Sequence, residues 1–145
     1  MNIIEVVRDI VSSFPRISAV CDAVHVDFTE SGSTNYGLSP TGETFISEDI
    51  LGNQKRKHTF VLYAVYSSLN DYSRLSNSGV LLELQQWLEK QTGNEVTAEL
   101  DGFTVKGELT KINAANGMLY SVPDGNFNEN VRYQLQITAE YKLFF

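Results

Sequence analysis

The chain has few of the residues on which disulfides, membrane anchoring and secretion depend. Only one of its 145 residues is a cysteine. Because Cys21 has no partner within the chain, an intrachain disulfide is excluded, and a reducing cytoplasm is the simplest place for folding. No apolar run approaches the roughly 20 residues of a membrane span, and the amino terminus has no basic, cleavable leader. We therefore expect a soluble, unprocessed protein with no membrane partner.

Basic charge is also scarce. Eleven Lys and Arg residues stand against 18 Asp and Glu residues, which gives a formal net charge of −7. Proteins that bind duplex nucleic acid neutralise phosphates with cations, so this balance predicts no sequence-specific nucleic acid partner. At this length, with 42% hydrophobic residues, the chain suits one domain spanning residues 1–145.

The motifs of familiar enzymes are missing as well. The sequence has no nucleophile elbow, no phosphate-binding glycine loop, no HExxH and no CxxC. We expect no catalytic residue and no cofactor. Cys21, His25 and Asp27 have ligand atoms, but Cys21 and His25 would lie about 13 Å apart on a strand, so we expect no metal site.

A group of carboxylates, Glu43, Glu48 and Asp49, has the residue types of a general acid and base. No neighbouring residue in the sequence suggests a shifted pKa for any of them. We therefore interpret the group as the solvated face of a hairpin.

Two segments have the periodicity of amphipathic helices. The apolar stripe of the first consists of Ile3, Val7, Ile10 and Phe14. Pro15 is predicted to end this helix. The second is predicted to begin with Ser78 as its N-cap and to stop at Gly93. Its apolar stripe consists of Leu81, Leu84 and Leu88, flanked by Val80 and Trp87.

Alternating apolar and polar residues predict several strands. They are residues 19–28, "NYGLSP", "ETFISEDIL", residues 58–66, residues 118–122 after an "NAANG" turn, and "VRYQLQITAEYKLFF". The run 58–66 is apolar on both faces, which predicts a central strand covered on both sides. It is expected to form a hairpin with "ETFISEDIL". The pair Asp101-Gly102 predicts a type I′ turn that places Leu100 opposite Phe103.

These elements predict the fold class. The predicted order along the chain is a helix, several strands, a second helix and further strands. That order favours an α+β domain with a largely antiparallel mixed sheet packed with two main helices.

The stretch "ILGNQKRKHTFVLYAVYSS" places three of the eleven cations, Lys55, Arg56 and Lys57, directly before the most apolar run. One interpretation is that they protect a strand edge from pairing with other chains. The other is that they contact a partner. Tyr36 is a further interface candidate, since tyrosine is enriched where proteins meet.

Several segments resemble a known family in their order and spacing. They are "NYGLSP…TFISEDILGN", "KRKHTFVLYAVYSS", "NSGVLLELQQWLEKQ", "NGMLYSV" and "RYQLQITAEYKLFF". The family consists of small tail-completion proteins of the tail-terminator type, encoded in the tail-morphogenesis region of long-tailed phages and prophages of Gram-positive bacteria. The resemblance covers most of the chain from about Tyr36 onward.

The resemblance implies a structural role in the virion. Such a protein would form a ring, typically of six copies, at the head-proximal end of the tail, after assembly in the bacterial cytoplasm. Its partners would be other copies, the tail-tube protein and the head-completion or connector protein. A ring requires contacts between two different patches, for which Lys55, Arg56, Lys57 and Tyr36 are candidates.

Two alternatives remain open from the sequence. The first is a head-side connector or neck protein, which would also form a ring. The second is a cytoplasmic small-ligand-binding domain, or an enzyme with a small-molecule pocket. Ring formation would favour the structural roles, whereas a monomer with a deep polar pocket would favour the second alternative.

Overall fold

The computed structural model describes residues 1–14, 24–26, 35–67, 71–121 and 130–145. These residues form two helices and six strands. The elements are α1 (Ile3–Ser12), β1 (Val24–Val26), β2 (Asn35–Glu48), β3 (Gln54–Ser67), α2 (Asp71–Leu88), β4 (Glu95–Leu100), β5 (Phe103–Ser121) and β6 (Asn130–Phe144). The predicted α+β class is confirmed. Neither helix in these ranges combines the length and apolar character needed to cross a bilayer.

The described strands form one sheet in the order β1-β2-β3-β6-β5-β4. The pair β1–β2 is parallel and every other pair is antiparallel, as expected for a largely antiparallel mixed sheet. β3 is hydrogen-bonded to β2 on one side and to β6 on the other. Its predicted central position is therefore confirmed.

The first helix follows the predicted stripe. Asn2 caps α1, because its side-chain oxygen accepts a hydrogen bond from the Glu5 N–H at 2.9 Å. The helix buries Ile3, Val6, Val7, Ile10 and Val11. Phe14, just beyond the helix, is also buried and packs against Trp87 with 5.4 Å between the ring centroids.

The second helix starts earlier than predicted. It begins at Asp71, seven residues before the predicted N-cap Ser78. The polar residues of this segment favour caps and turns in isolation. Once a helix exists, however, each added residue gains a hydrogen bond, so weak helix formers can extend it. The predicted stripe is confirmed, since Leu81, Leu84 and Leu88 are buried.

Two predicted interruptions are absorbed inside longer strands. "NYGLSP" and most of "ETFISEDIL" form the single strand β2, with an irregularity between Pro40 and Gly42. Likewise, β5 runs through "NAANG" with a register shift between Ala115 and Met118, so the predicted turn there is wrong. A bulge accommodates an extra residue without ending the strand, which explains both differences.

The turn between β4 and β5 forms as predicted. Leu100 pairs with Phe103. Asp101 and Gly102 have φ values of 50° and 80°, the two positive values that a type I′ turn requires.

The core lies on one face of the sheet, called the packed face here. It is formed by the helices together with Leu38, Phe60, Leu62, Leu109, Ile112, Ala114, Tyr133, Leu135, Ile137, Ala139, Tyr141 and Leu143. On the other, open face, the β3 residues Thr59, Val61 and Tyr63 are only half-buried. At these three positions the strand is covered less completely than predicted, and the side chains of residues 64–66 lie outside the described part. The predicted alternation of β6 is confirmed from Tyr133 to Leu143.

Candidate functional site

Two hairpin turns and the carboxyl end of β6 lie at the same end of the sheet, called the turn end here. Gln54, the first residue of β3, pairs with Leu143 near the end of β6. Lys106, near the start of β5, pairs with Phe144. These registers bring the β2–β3 turn, the β4–β5 turn and the last residues together.

Exposed apolar side chains are concentrated at the turn end. Of the ten large apolar side chains exposed in the described residues, eight lie there: Phe45, Ile46, Ile50, Leu51, Leu100, Phe103, Phe144 and Phe145. Ile50 is fully exposed, and Leu51 is 78% exposed. Exposed apolar side chains gathered at one end of a sheet make that end a candidate surface for contact with another protein.

The β2–β3 turn has a defined structure that presents Ile50 and Leu51 to solvent. The Asp49 carboxylate accepts hydrogen bonds from the Leu51 N–H at 2.9 Å, the Asn53 N–H at 3.0 Å and the Asn53 side-chain amide at 3.1 Å. Desolvation raises the pKa of Asp49, but these hydrogen bonds and the Lys142 ammonium group together outweigh it, so the pKa lies below its usual value. Asp49 is therefore the carboxylate that organises the turn.

The predicted basic group is divided by the sheet. β3 begins at Gln54, so Lys55, Arg56 and Lys57 lie inside the strand. Because successive strand residues face opposite sides, the two lysines lie on the open face and Arg56 on the packed face. At these positions β3 pairs with β2 on one side and with β6 on the other, so the three cations do not lie on an edge strand of the described sheet.

Arg56 is engaged within the chain. Its guanidinium Nη1 lies 3.1 Å from the Glu43 carboxylate, and its Nε donates to the Gln54 side chain at 3.0 Å. The Tyr141 hydroxyl donates a hydrogen bond to the other oxygen of Glu43. Glu43 therefore joins β2, β3 and β6, and Arg56 neutralises it.

His58 is buried beside this group. Its Nδ1 lies 3.8 Å from the nearer Glu43 oxygen, which is too long for a hydrogen bond, and neither ring nitrogen has a partner among the described residues. Burial lowers the pKa of His58, the neighbouring Glu43 opposes this, and the net shift is downward. The burial of His58 was not predicted from the sequence. His58 and Phe60 are two residues apart on β3 and therefore face the same side of the sheet, which was the feature of the sequence that indicated burial.

A row of paired residues crosses the open face at the turn end. From β2 to β4 it consists of Ser47, Lys55, Lys142, Glu108 and Glu95. Lys55 and Lys142 also line a cleft of about 270 Å³ together with Ser47, Asp49, Asn53 and Thr110. The Lys142 ammonium group lies 4.0 Å from Asp49, whereas Lys55 forms no ion pair with any described residue.

The remaining sequence candidates lie at or beyond the limits of the described residues. The backbone of Tyr36 pairs with β1 and β3, but its side chain lies outside the described part. The same holds for the side chain of His25, and Cys21 and Asp27 lie wholly outside. In the ranges that the structure describes, no group of three His, Cys, Asp or Glu side chains is arranged to hold a metal ion.

Comparisons with protein-family models and with curated proteins find no match to this chain. A functional proposal therefore depends on the surface chemistry of the chain itself. The turn end combines exposed apolar side chains, a structured turn and a lysine, Lys55, that has no ion pair with any residue the structure describes. Such a combination is typical of a surface that contacts another protein.

Proposed function

We propose that the chain is a phage tail-completion protein of the tail-terminator type, which forms a ring at the head-proximal end of the tail tube. The observation that supports this most directly is the turn end, where eight large apolar side chains are exposed together. A soluble monomer rarely exposes such a cluster without a partner, so an assembly subunit is the function it favours.

The charge distribution suits assembly between acidic copies. Lys55 and Lys57 lie on the open face of a chain with net charge −7. Opposite charges across an interface steer association and set the register of the partners. A neighbouring copy, the tail tube and the head connector are the proposed partners.

Assembly of the full-length protein tests the proposal. We expect light scattering and electron microscopy to show concentration-dependent rings. Adding these rings to growing tubes of the cognate tail-tube protein should stop elongation. Rings should weaken as salt rises, because contacts at an exposed rim are screened over about 8 Å at physiological ionic strength.

The charge contribution is tested with Lys55→Glu/Lys57→Glu and the matched Lys55→Gln/Lys57→Gln variant. Arg56 is left unchanged, because its replacement would also disrupt the bond to Glu43. We expect the Glu variant to remain folded by circular dichroism but to lose ring formation, since it creates like-charge contacts. Equal assembly of both variants and the wild type would contradict a partner role for the two lysines.

The same experiments separate the alternatives. A head-side connector or neck protein would form a ring that leaves tube growth unchanged. A small-ligand-binding domain would remain a monomer at every concentration. Either result would overturn the tail-terminator proposal.

A further inference from the structure

A second cleft lies between α1 and the start of β4. β4 is an edge strand of the described sheet, and β6 and β5 separate it from β3. The cleft has a volume of about 280 Å³ and is lined by Met1, Val6, Asp9, Ile10, Ser13, Gln91, Asn94 and Glu95. Val6 and Ile10 are buried core residues that form its apolar wall. Asp9 and Glu95 are exposed acidic residues at its rim. We call it the α1–β4 cleft.

We propose that the β2–β3 turn of one copy inserts Ile50 and Leu51 into the α1–β4 cleft of a neighbouring copy. This inference rests on the proposed function, in that it requires copies of the chain to meet. It names the two patches that form the contact. Because the patches are different, the contact is heterologous, and such a contact generates a ring when the rotation from one copy to the next closes.

The positions of the two patches suit such an arrangement. Lys55 follows the turn on β3, and Glu95 begins β4 at the cleft. They stand in the same row of paired residues, separated by β6 and β5. Three strand spacings of about 4.8 Å place them roughly 14 Å apart across the sheet. Each copy therefore has the turn and the cleft at two separate places on its surface, so a copy whose turn is bound by one neighbour can still receive the turn of another.

Charge complementarity favours a second copy as the occupant. Neither the Lys55 ammonium group nor the Glu95 carboxylate has an ion pair or side-chain hydrogen bond with another described residue. Asp9, by contrast, is already paired with Arg8 at 3.1 Å. Lys55 of one copy and Glu95 of the next are thus the available opposite charges beside the apolar contact.

The β2–β3 turn is also preorganised for binding. Asp49 fixes it through the Leu51 and Asn53 hydrogen bonds, while Ile50 and Leu51 remain exposed. A loop already held in a defined conformation loses less entropy when it binds. Apolar residues at so exposed a turn tip are therefore best explained by burial against a partner.

Site-specific photo-crosslinking identifies the occupant directly. A photoreactive phenylalanine derivative is placed at position 51 of the full-length protein, and a matched sample has it at the exposed α2 position 82. We expect position 51 to crosslink to residues 1–13 or 91–95 of a second copy, as identified by mass spectrometry of mixed isotope-labelled chains. Position 82 should give no such product. Crosslinks from position 51 to any other region, to the tail-tube protein alone or to no protein would overturn the inference.

Charge exchange tests the pairing of Lys55 with Glu95. Lys55→Glu and Glu95→Lys should each raise the apparent dissociation constant for self-association by about tenfold or more, because each brings like charges together. An equimolar mixture of the two variants should associate, since every alternating contact is again complementary. The Lys55→Glu/Glu95→Lys double variant should also associate.

The outcomes distinguish this contact from the proposed function. If the single variants form rings as the wild type does, or if neither the mixture nor the double variant recovers, the contact is wrong although the ring stands. If the wild type associates through this contact without stopping tube growth, the contact holds and the tail-terminator function fails. Circular dichroism confirms that every variant is folded.

Discussion

At the scale of single residues, Glu43 connects three strands through its side chain. It pairs with Arg56 at 3.1 Å, accepts a hydrogen bond from Tyr141 and lies near the buried His58 ring. The arginine and the tyrosine satisfy the carboxylate, whereas the imidazole nitrogens have no partner among the described residues. A buried polar group without a partner costs stability, and charging it would cost more.

His58 therefore predicts a decrease in stability in mild acid. Its pKa in the folded chain lies below the ordinary value of 6.5, so the unfolded chain takes up the proton first as pH falls. The stabilisation from neutral His58 is complete above about pH 6.5 and is lost as pH falls through the folded-state pKa, at up to about 1.4 kcal/mol per pH unit. Urea unfolding between pH 7.5 and pH 5 measures this slope.

The matched control is His58→Leu, which replaces the titratable imidazole beside Phe60 with an apolar side chain of similar size. Its unfolding free energy should fall less steeply with acid, because the side chain at position 58 no longer titrates. We expect its stability at pH 7.5 to be close to that of the wild type, because no hydrogen bond is removed. Identical pH slopes in the two proteins would exclude His58 as the cause.

At the scale of elements, the pair β5–β6 is closely spaced at Gly107. Gly107 is buried opposite Leu143. A Cβ atom built on it would overlap the carbonyl oxygen of Lys142 and lie 2.9 Å from the carbonyl carbon. Backbone atoms cannot move aside as a flexible side chain can, so glycine is required by the approach of the two strands.

Gly107→Ala should therefore destabilise the fold by about 1–3 kcal/mol, since it forces the strands apart. Gly79→Ala is the matched control, because Gly79 is exposed within α2 and a Cβ there meets no atom within 4 Å. That variant should gain about 0.5–1 kcal/mol from the better helix propensity of alanine. Chemical denaturation of both variants measures the difference. Equal effects would contradict the steric explanation.

At the scale of the whole molecule, β6 holds the sheet together. It pairs with β3 over Gln54–Ser67 and with β5 on its other side. Its buried residues, from Tyr133 to Leu143, belong to the same core as the two helices. The last turn-end residues, Phe144 and Phe145, are instead largely exposed.

Deletion of residues 141–145 should consequently abolish cooperative folding. It removes the buried Tyr141 and Leu143 and the final pairing with β3 and β5. The control, Phe144→Ser/Phe145→Ser, changes exposed side chains only and should keep a cooperative thermal transition by circular dichroism. A truncated protein with the wild-type melting profile would show that β6 contributes little beyond residue 140.

The sequence by itself determined the elements whose signals are local. The Asp101-Gly102 turn, the stripe of α1 and the alternation of β6 formed as predicted, because each depends on backbone preferences or on side-chain periodicity within a short segment. The fold class followed from the order of these elements. None of these features required knowledge of a distant neighbour.

Only the tertiary structure decided how distant segments meet. The extension of β3 back to Gln54 placed Arg56 on the opposite face of the sheet from Lys55 and Lys57. Strand registers placed Glu43 beside His58 and gathered the apolar residues of three chain segments at the turn end. They also continued strands through Pro40 and "NAANG", where local signals favoured turns. The physical reason is that pairing with a neighbouring strand and burial of one face outweigh local turn preferences, and both depend on residues far away in the sequence.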